Sequence, residues 1–115
     1  MDTHLSCFYN FVRSIPYKED GFYAEIIARP KFLMDRAKFP ALDCKKKAVL
    51  IGAWLNAHNI PWRLIACSER PDRQVHHVFV QAFISGHWRP IDATYPDYYL
   101  FQAKPEITYA EELKN

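Results

Sequence analysis

Apolar positions along the chain follow a helical period in its first half and a period of two beyond it. Leu5, Phe8, Tyr9, Phe11, Val12 and Ile15 recur at spacings near three and four, which predicts an amphipathic helix over 3–14 that stops before Pro16. Tyr17 to Gly21 reads as a polar turn. Residues 22–28 fit an extended or a helical segment, and Pro30 is placed to open a second helix through Phe32, Leu33 and Ala37 that Pro40 ends. Over 44–58, Ala48, Ile51 and Leu55 form one stripe. Val49, Ala53, Trp54 and Ala57 fill much of the remaining circumference, which predicts a central helix buried on several sides. Asn59 suits a left-handed terminating position, and Pro61 prevents continuation.

Beyond Pro61 the residues at 62–67 predict a strand, followed by a charged loop carrying Pro71. Residues 75–84 alternate over two faces, and after Ser85-Gly86 a second run follows at 87–93. This pattern predicts a hairpin. The tail from Thr94 is rich in tyrosine, is interrupted by Pro96 and Pro105, and is read as a short helix at 109–114.

The hairpin makes a geometric prediction. A two-residue loop at Ser85 and Gly86 puts Asp92 opposite Phe79, on the face that Phe79 shares with His77. Asp92 is then a diagonal neighbour of His77, with backbones about 7–8 Å apart, near enough for carboxylate to meet imidazole. His76 points to the other face, so the adjacent histidines are not placed to share a metal ion.

Asp43 is a favoured helix N-cap and puts Cys44 at the first helical position of the central helix. Unsatisfied N–H groups and the helix dipole there favour thiolate over thiol. Lys45, Lys46 and Lys47 either add to that effect or form a solvated face, and three cations in a first turn oppose the dipole. Cysteine at a helix start, with histidine on a strand and aspartate in reach, is a nucleophile, base and orienter arrangement. Cys44, His77 and Asp92 are therefore the candidate catalytic residues, weighed against histidine as an ordinary hydrogen-bonded strand residue. Cys7, among apolar neighbours, is expected to be a small buried hydrophobe, and Cys67 to be structural.

Composition narrows the setting. The 115 residues are half hydrophobic and 16% aromatic, enough for one folded domain over 1–115 with a single core. A net charge of +2, without an aromatic-interleaved basic stripe, does not suggest nucleic-acid binding. Three cysteines at unrelated spacings suggest neither a disulfide framework nor a metal site, and a reducing compartment is the simpler setting. With no leader-like N-terminus and no apolar run of membrane-spanning length, the expectation is a soluble cytoplasmic protein without metal, cofactor or membrane partner.

Four motifs in order resemble the transglutaminase-like (papain-like) cysteine protease superfamily in its compact bacterial and phage form. Leu42-Asp43-Cys44-Lys45-Lys46-Lys47-Ala48 stands where that family has Gly-Asp-Cys-Asp-Asp-Lys-Ala. Asn59-Ile60-Pro61-Trp62-Arg63-Leu64 is similar to its Gly-Ile-Pro-x-Arg-Leu, and His77-Val78-Phe79-Val80-Gln81 to its His-x-x-Val-Glu. Trp88-Arg89-Pro90-Ile91-Asp92-Ala93-Thr94 resembles its Trp-x-Pro-x-Asp-x-Thr, and Phe11, Val12, Tyr17, Asp20, Glu25 and Pro30 resemble its lead-in. The resemblance implies an α+β papain-like fold, a Cys44-His77-Asp92 triad and a peptide or amide substrate. Leu42 for Gly, and Lys45 and Lys46 for acidic residues, depart from the pattern and leave the substrate open. The competing reading is a catalytically silent module for binding or assembly, for example in a phage particle. Tyr95, Tyr98, Tyr99 and Phe101 would then dock a protein partner, where otherwise they cover the domain's own core.

Overall fold

The computed structural model describes residues 2–17, 42–95, 97–102 and 107–113. The segment read at 22–28 and the helix expected from Pro30 lie outside them. The described elements are helices α1 (Asp2–Ser14) and α2 (Cys44–Ala57) and strands β1 (Trp62–Ser68), β2 (His77–Ile84), β3 (His87–Ile91) and β4 (Tyr109–Leu113). The strands form one antiparallel sheet in the order β3-β2-β1-β4.

Helix α2 has both ends defined by local chemistry. Asp43 is extended at φ −83° and ψ 178°, and its carboxylate accepts the Lys46 N–H at 2.8 Å. At the other end Asn59 takes φ 57°. The Ile60 N–H reaches the Leu55 carbonyl at 2.9 Å and the Asn59 N–H reaches that of Asn56 at 3.1 Å. These two bonds make a Schellman motif, closed by apolar Ile60 and Leu55, both buried.

The main core lies between the helices and one sheet face. Leu5, Tyr9 and Val12 of α1 and Ala48, Leu50, Ile51 and Leu55 of α2 meet Ala66, Val78, Val80, Ala82 and Ile91. Ile65, Cys67 and Phe79 form a smaller buried cluster, and alternation puts them on the other face. Burial of α2 is less extensive than its composition suggests, because Val49, Ala53 and Trp54 are half-buried and Ala57 is exposed. Cys7 is exposed as well, contrary to expectation. It lies two residues from Leu5, about 200° around the helix and so on the side away from the core.

The turn has two residues, Ser85 at φ 55° and Gly86 at φ 80°, and the ladder pairs Ile84 with His87 through Val80 with Ile91. Both hairpin strands are shorter than expected. Residues 75 and 76 precede β2, and β3 ends at Ile91, so Asp92 leaves the ladder just before it would pair with Phe79. The expected C-terminal helix at 109–114 is instead strand β4. Its Ala, Glu and Leu favour helix, but five residues are too few for a stable isolated helix, whereas β1 offers them a paired edge. Thr108 locks the register, its N–H reaching Ser68 O at 2.9 Å and its hydroxyl reaching Arg70 O at 2.7 Å. Among the described residues no helix is long and apolar enough to cross a membrane.

Gly52 allows α2 to approach β1. A Cβ on it would lie 2.5 Å from Trp62 Cη2, in a ring anchored by an indole N–H bond to Asn56 Oδ1 at 2.7 Å. Gly52→Ala is therefore expected to destabilise the fold by about 1–3 kcal/mol, although alanine is the better helix former. Urea denaturation checks this, and an unchanged midpoint would show that the Trp62 ring yields freely.

Candidate active site

His77 is the first residue of β2 and is 4% exposed. Its Nε2 lies 2.7 Å from Asp92 Oδ2, and the Cys44 side chain at the start of α2 is near enough to act on its ring. With Nε2 committed to Asp92, Nδ1 is the nitrogen left for the sulfur. The structure thus brings together Cys44, His77 and Asp92 from a helix start, a strand start and the residue just beyond a strand. His76 is exposed and turned away, its Nε2 accepting the Glu69 N–H at 3.0 Å.

Asp92, also 4% exposed, is oriented from both ends of its side chain. While Oδ2 faces His77, Oδ1 accepts the Thr94 N–H at 3.1 Å, a local turn that aims the carboxylate. Electrostatics at His77 are a contest. Burial is the largest influence and disfavours imidazolium, but the bond to Asp92 and the interaction with Cys44, with their charges, outweigh it and push the ring up to about 9 from 6.5. At neutral pH His77 is accordingly a cation beside the sulfur.

Three features here are not apparent from sequence. The Tyr95 ring is tilted over His77 at 5.3 Å between centroids and shields the imidazole on that side. Tyr9 of α1 is buried, with its hydroxyl shared between Asp92 O at 3.1 Å and Tyr98 O at 2.9 Å. Burial pushes that phenol up to about 12, so it remains a donor. The lysine run is not one solvated face: Lys45 is exposed and Lys46 half-buried, with its ammonium held below the ordinary range by desolvation. Lys47 is only 2% exposed. A lysine three residues after Cys44 and four before core residue Ile51 was the available sign, because that spacing faces inward.

Of the aromatic tail, Tyr98 is buried, Leu100 and Phe101 pack partly on the core, and Tyr99 is exposed. The tail therefore mostly covers the domain itself. The tryptophans are engaged elsewhere: Trp54 stacks on His58, the Trp62 indole binds Asn56, and Trp88 is exposed beneath Arg63.

This architecture is an α+β fold of the papain-like, transglutaminase-like kind. It superposes on calcium-bound LapG from Legionella pneumophila with a TM-score of 0.68 at 15% identity, over 93% of this chain and 61% of that one. A candidate cysteine protease from Cytophaga hutchinsonii superposes at 0.59 and 18% identity, over 100% of this chain and 41% of its own. The chain thus spans less than two thirds of either neighbour, and at these identities the likeness is one of fold. No protein-family model and no curated protein matches the sequence. The calcium is a feature of LapG; among the described residues here, no group of three or more His, Cys, Asp or Glu side chains could hold a metal ion.

Proposed function

We propose that the protein is a thiol acyl-transfer enzyme that hydrolyses a peptide or amide bond. The observation that carries this reading is the buried, hydrogen-bonded pair His77 and Asp92, with half-buried Cys44 acting on the ring from the start of α2. Its fold neighbour described as a candidate cysteine protease supports it. Cys44 is the nucleophile, placed at the N-terminal end of α2 with the His77 ring beside it. Sulfur attacks the carbonyl carbon, and the oxyanion that forms takes the Cys44 N–H, a first-turn donor with no acceptor inside its own helix. His77 gives its proton to the leaving amine as the C–N bond breaks, which leaves a thioester. The neutral ring then takes a proton from water as the water oxygen attacks the thioester, and the C–S bond breaks to release the carboxylic acid and leave sulfur beside a protonated imidazole, as at the start. Asp92 holds the ring with Nδ1 toward sulfur throughout.

The cysteines provide their own controls, since Cys7 is exposed but outside the site and Cys67 is fully buried. With iodoacetamide at mildly acidic pH, where an ordinary thiol is almost wholly protonated, Cys44 is expected to be alkylated at least about tenfold faster than Cys7. Peptide mapping reads the ratio. Equal labelling of the two, or labelling of Cys7 alone, would count against an activated nucleophile at position 44.

A further inference from the structure

Lys47 is a buried cation in a small domain, placed one helical turn from Cys44, and no step of the reaction above uses it. Its ammonium donates to the Ala93 carbonyl at 3.2 Å and lies 3.4 Å from that of Arg13. With Cys44, Asp92, Ala93 and Thr94 it also lines the small cavity at the candidate site. Burying an ammonium is costly, and a well-packed apolar side chain in its place is often neutral or stabilising. Stability alone therefore does not account for Lys47.

The bonds around Asp92 suggest what it does. Tyr9 holds the Asp92 carbonyl and Lys47 holds the next one, at Ala93. The peptide that follows Ala93 carries the Thr94 N–H, which reaches back to Asp92 Oδ1. Fixing the Ala93 carbonyl fixes that peptide plane, and with it the direction of the Thr94 N–H that aims the carboxylate at His77. We propose that Lys47 is a positioning residue of the acyl-transfer site, acting through the Ala93 carbonyl and the Thr94 N–H to hold Asp92 against His77. This role rests on the acyl-transfer reading above.

The test follows His77, because a merely structural lysine would leave its titration alone. Among the described residues the titratable groups facing the ring are Cys44 of α2, Asp92 and Tyr95, with Cys67 as its register partner on β1. Lys47→Met and Lys47→Gln are compared with wild type by thermal unfolding, by NMR titration of the His77 ring and by acylation of Cys44 with p-nitrophenyl acetate. Lys47→Met is expected to unfold at or above the wild-type temperature. Its His77 titration should fall by at least about one pH unit from about 9, and Cys44 acylation should slow at least about tenfold. Lys47→Gln, which keeps a shorter donor, should retain part of both.

Wild-type titration and rate in Lys47→Met would overturn the role. If that variant fails to fold, Lys47→Gln decides, and wild-type behaviour in it would overturn the role equally. A wild-type His77 that titrates near 6.5, with Cys44 no more reactive than Cys7, would instead overturn the acyl-transfer reading itself and Lys47's part in it.

Discussion

Asp92→Asn is expected to slow acylation of Cys44 by about 100-fold or more while leaving the fold intact. The size of the effect follows from which atoms the asparagine must use. Oδ1 accepts the Thr94 N–H, so an amide in the same turn keeps its oxygen there and points its NH2 at His77. Two donors cannot face each other at 2.7 Å. Nε2 must then become an acceptor, which moves the neutral ring's proton to Nδ1, on the sulfur side. In that tautomer His77 cannot take the Cys44 proton. Acylation by p-nitrophenyl acetate checks the rate, and circular dichroism checks the fold. A folded variant that acylates at the wild-type rate would show that Asp92 does not set the tautomer.

Unfolding free energy is expected to fall as pH rises from about 6.5 to about 9, by an amount on the order of 3 kcal/mol. His77 holds its proton more tightly folded than unfolded, because the bond to Asp92 and the interaction with Cys44 exist only in the folded state. The folded protein therefore binds more protons across this window. Its stabilisation is fully present below pH 6.5 and is lost as pH climbs through about 9. Urea denaturation at closely spaced pH values measures the slope. His77→Gln keeps a donor for Asp92 but does not titrate, so this component should vanish in it. A wild-type curve that is flat over the window, or a variant with the same slope, would remove the folded-state cation at position 77.

Both predictions depend on a contact that was largely legible from hairpin chemistry. Ser85-Gly86 takes positive φ at both positions, which defines a two-residue turn and hence the register that puts Asp92 diagonal to His77. What the register could not show is that β3 stops at Ile91 and that Asp92 turns through Thr94 to close the gap to 2.7 Å. The same division appears at the other end of the site. An Asp43 cap put Cys44 at the start of α2, and helical spacing marked Lys47 as inward-facing, but the carbonyls that Lys47 meets there were not local information.

The sequence by itself determined the bounds of α1 and α2 to within a residue or two, the hairpin turn and its pairing, and the strand face of His77. Caps, turn torsions and side-chain periodicity act between residues a few positions apart, so they can be read from one stretch at a time. The tertiary structure decided the rest. Residues 109–113 became a strand because β1 had an edge for them to pair with, and Cys7 stayed outside because the core formed against Leu5, Tyr9 and Val12. Tyr9 meets Asp92 across 83 positions and Lys47 meets Ala93 across 46, and these contacts hold the segment that carries the carboxylate. No local rule predicts such pairs, because they follow from the packing of helices against a sheet, where burial and hydrogen bonding are settled among residues distant in the chain.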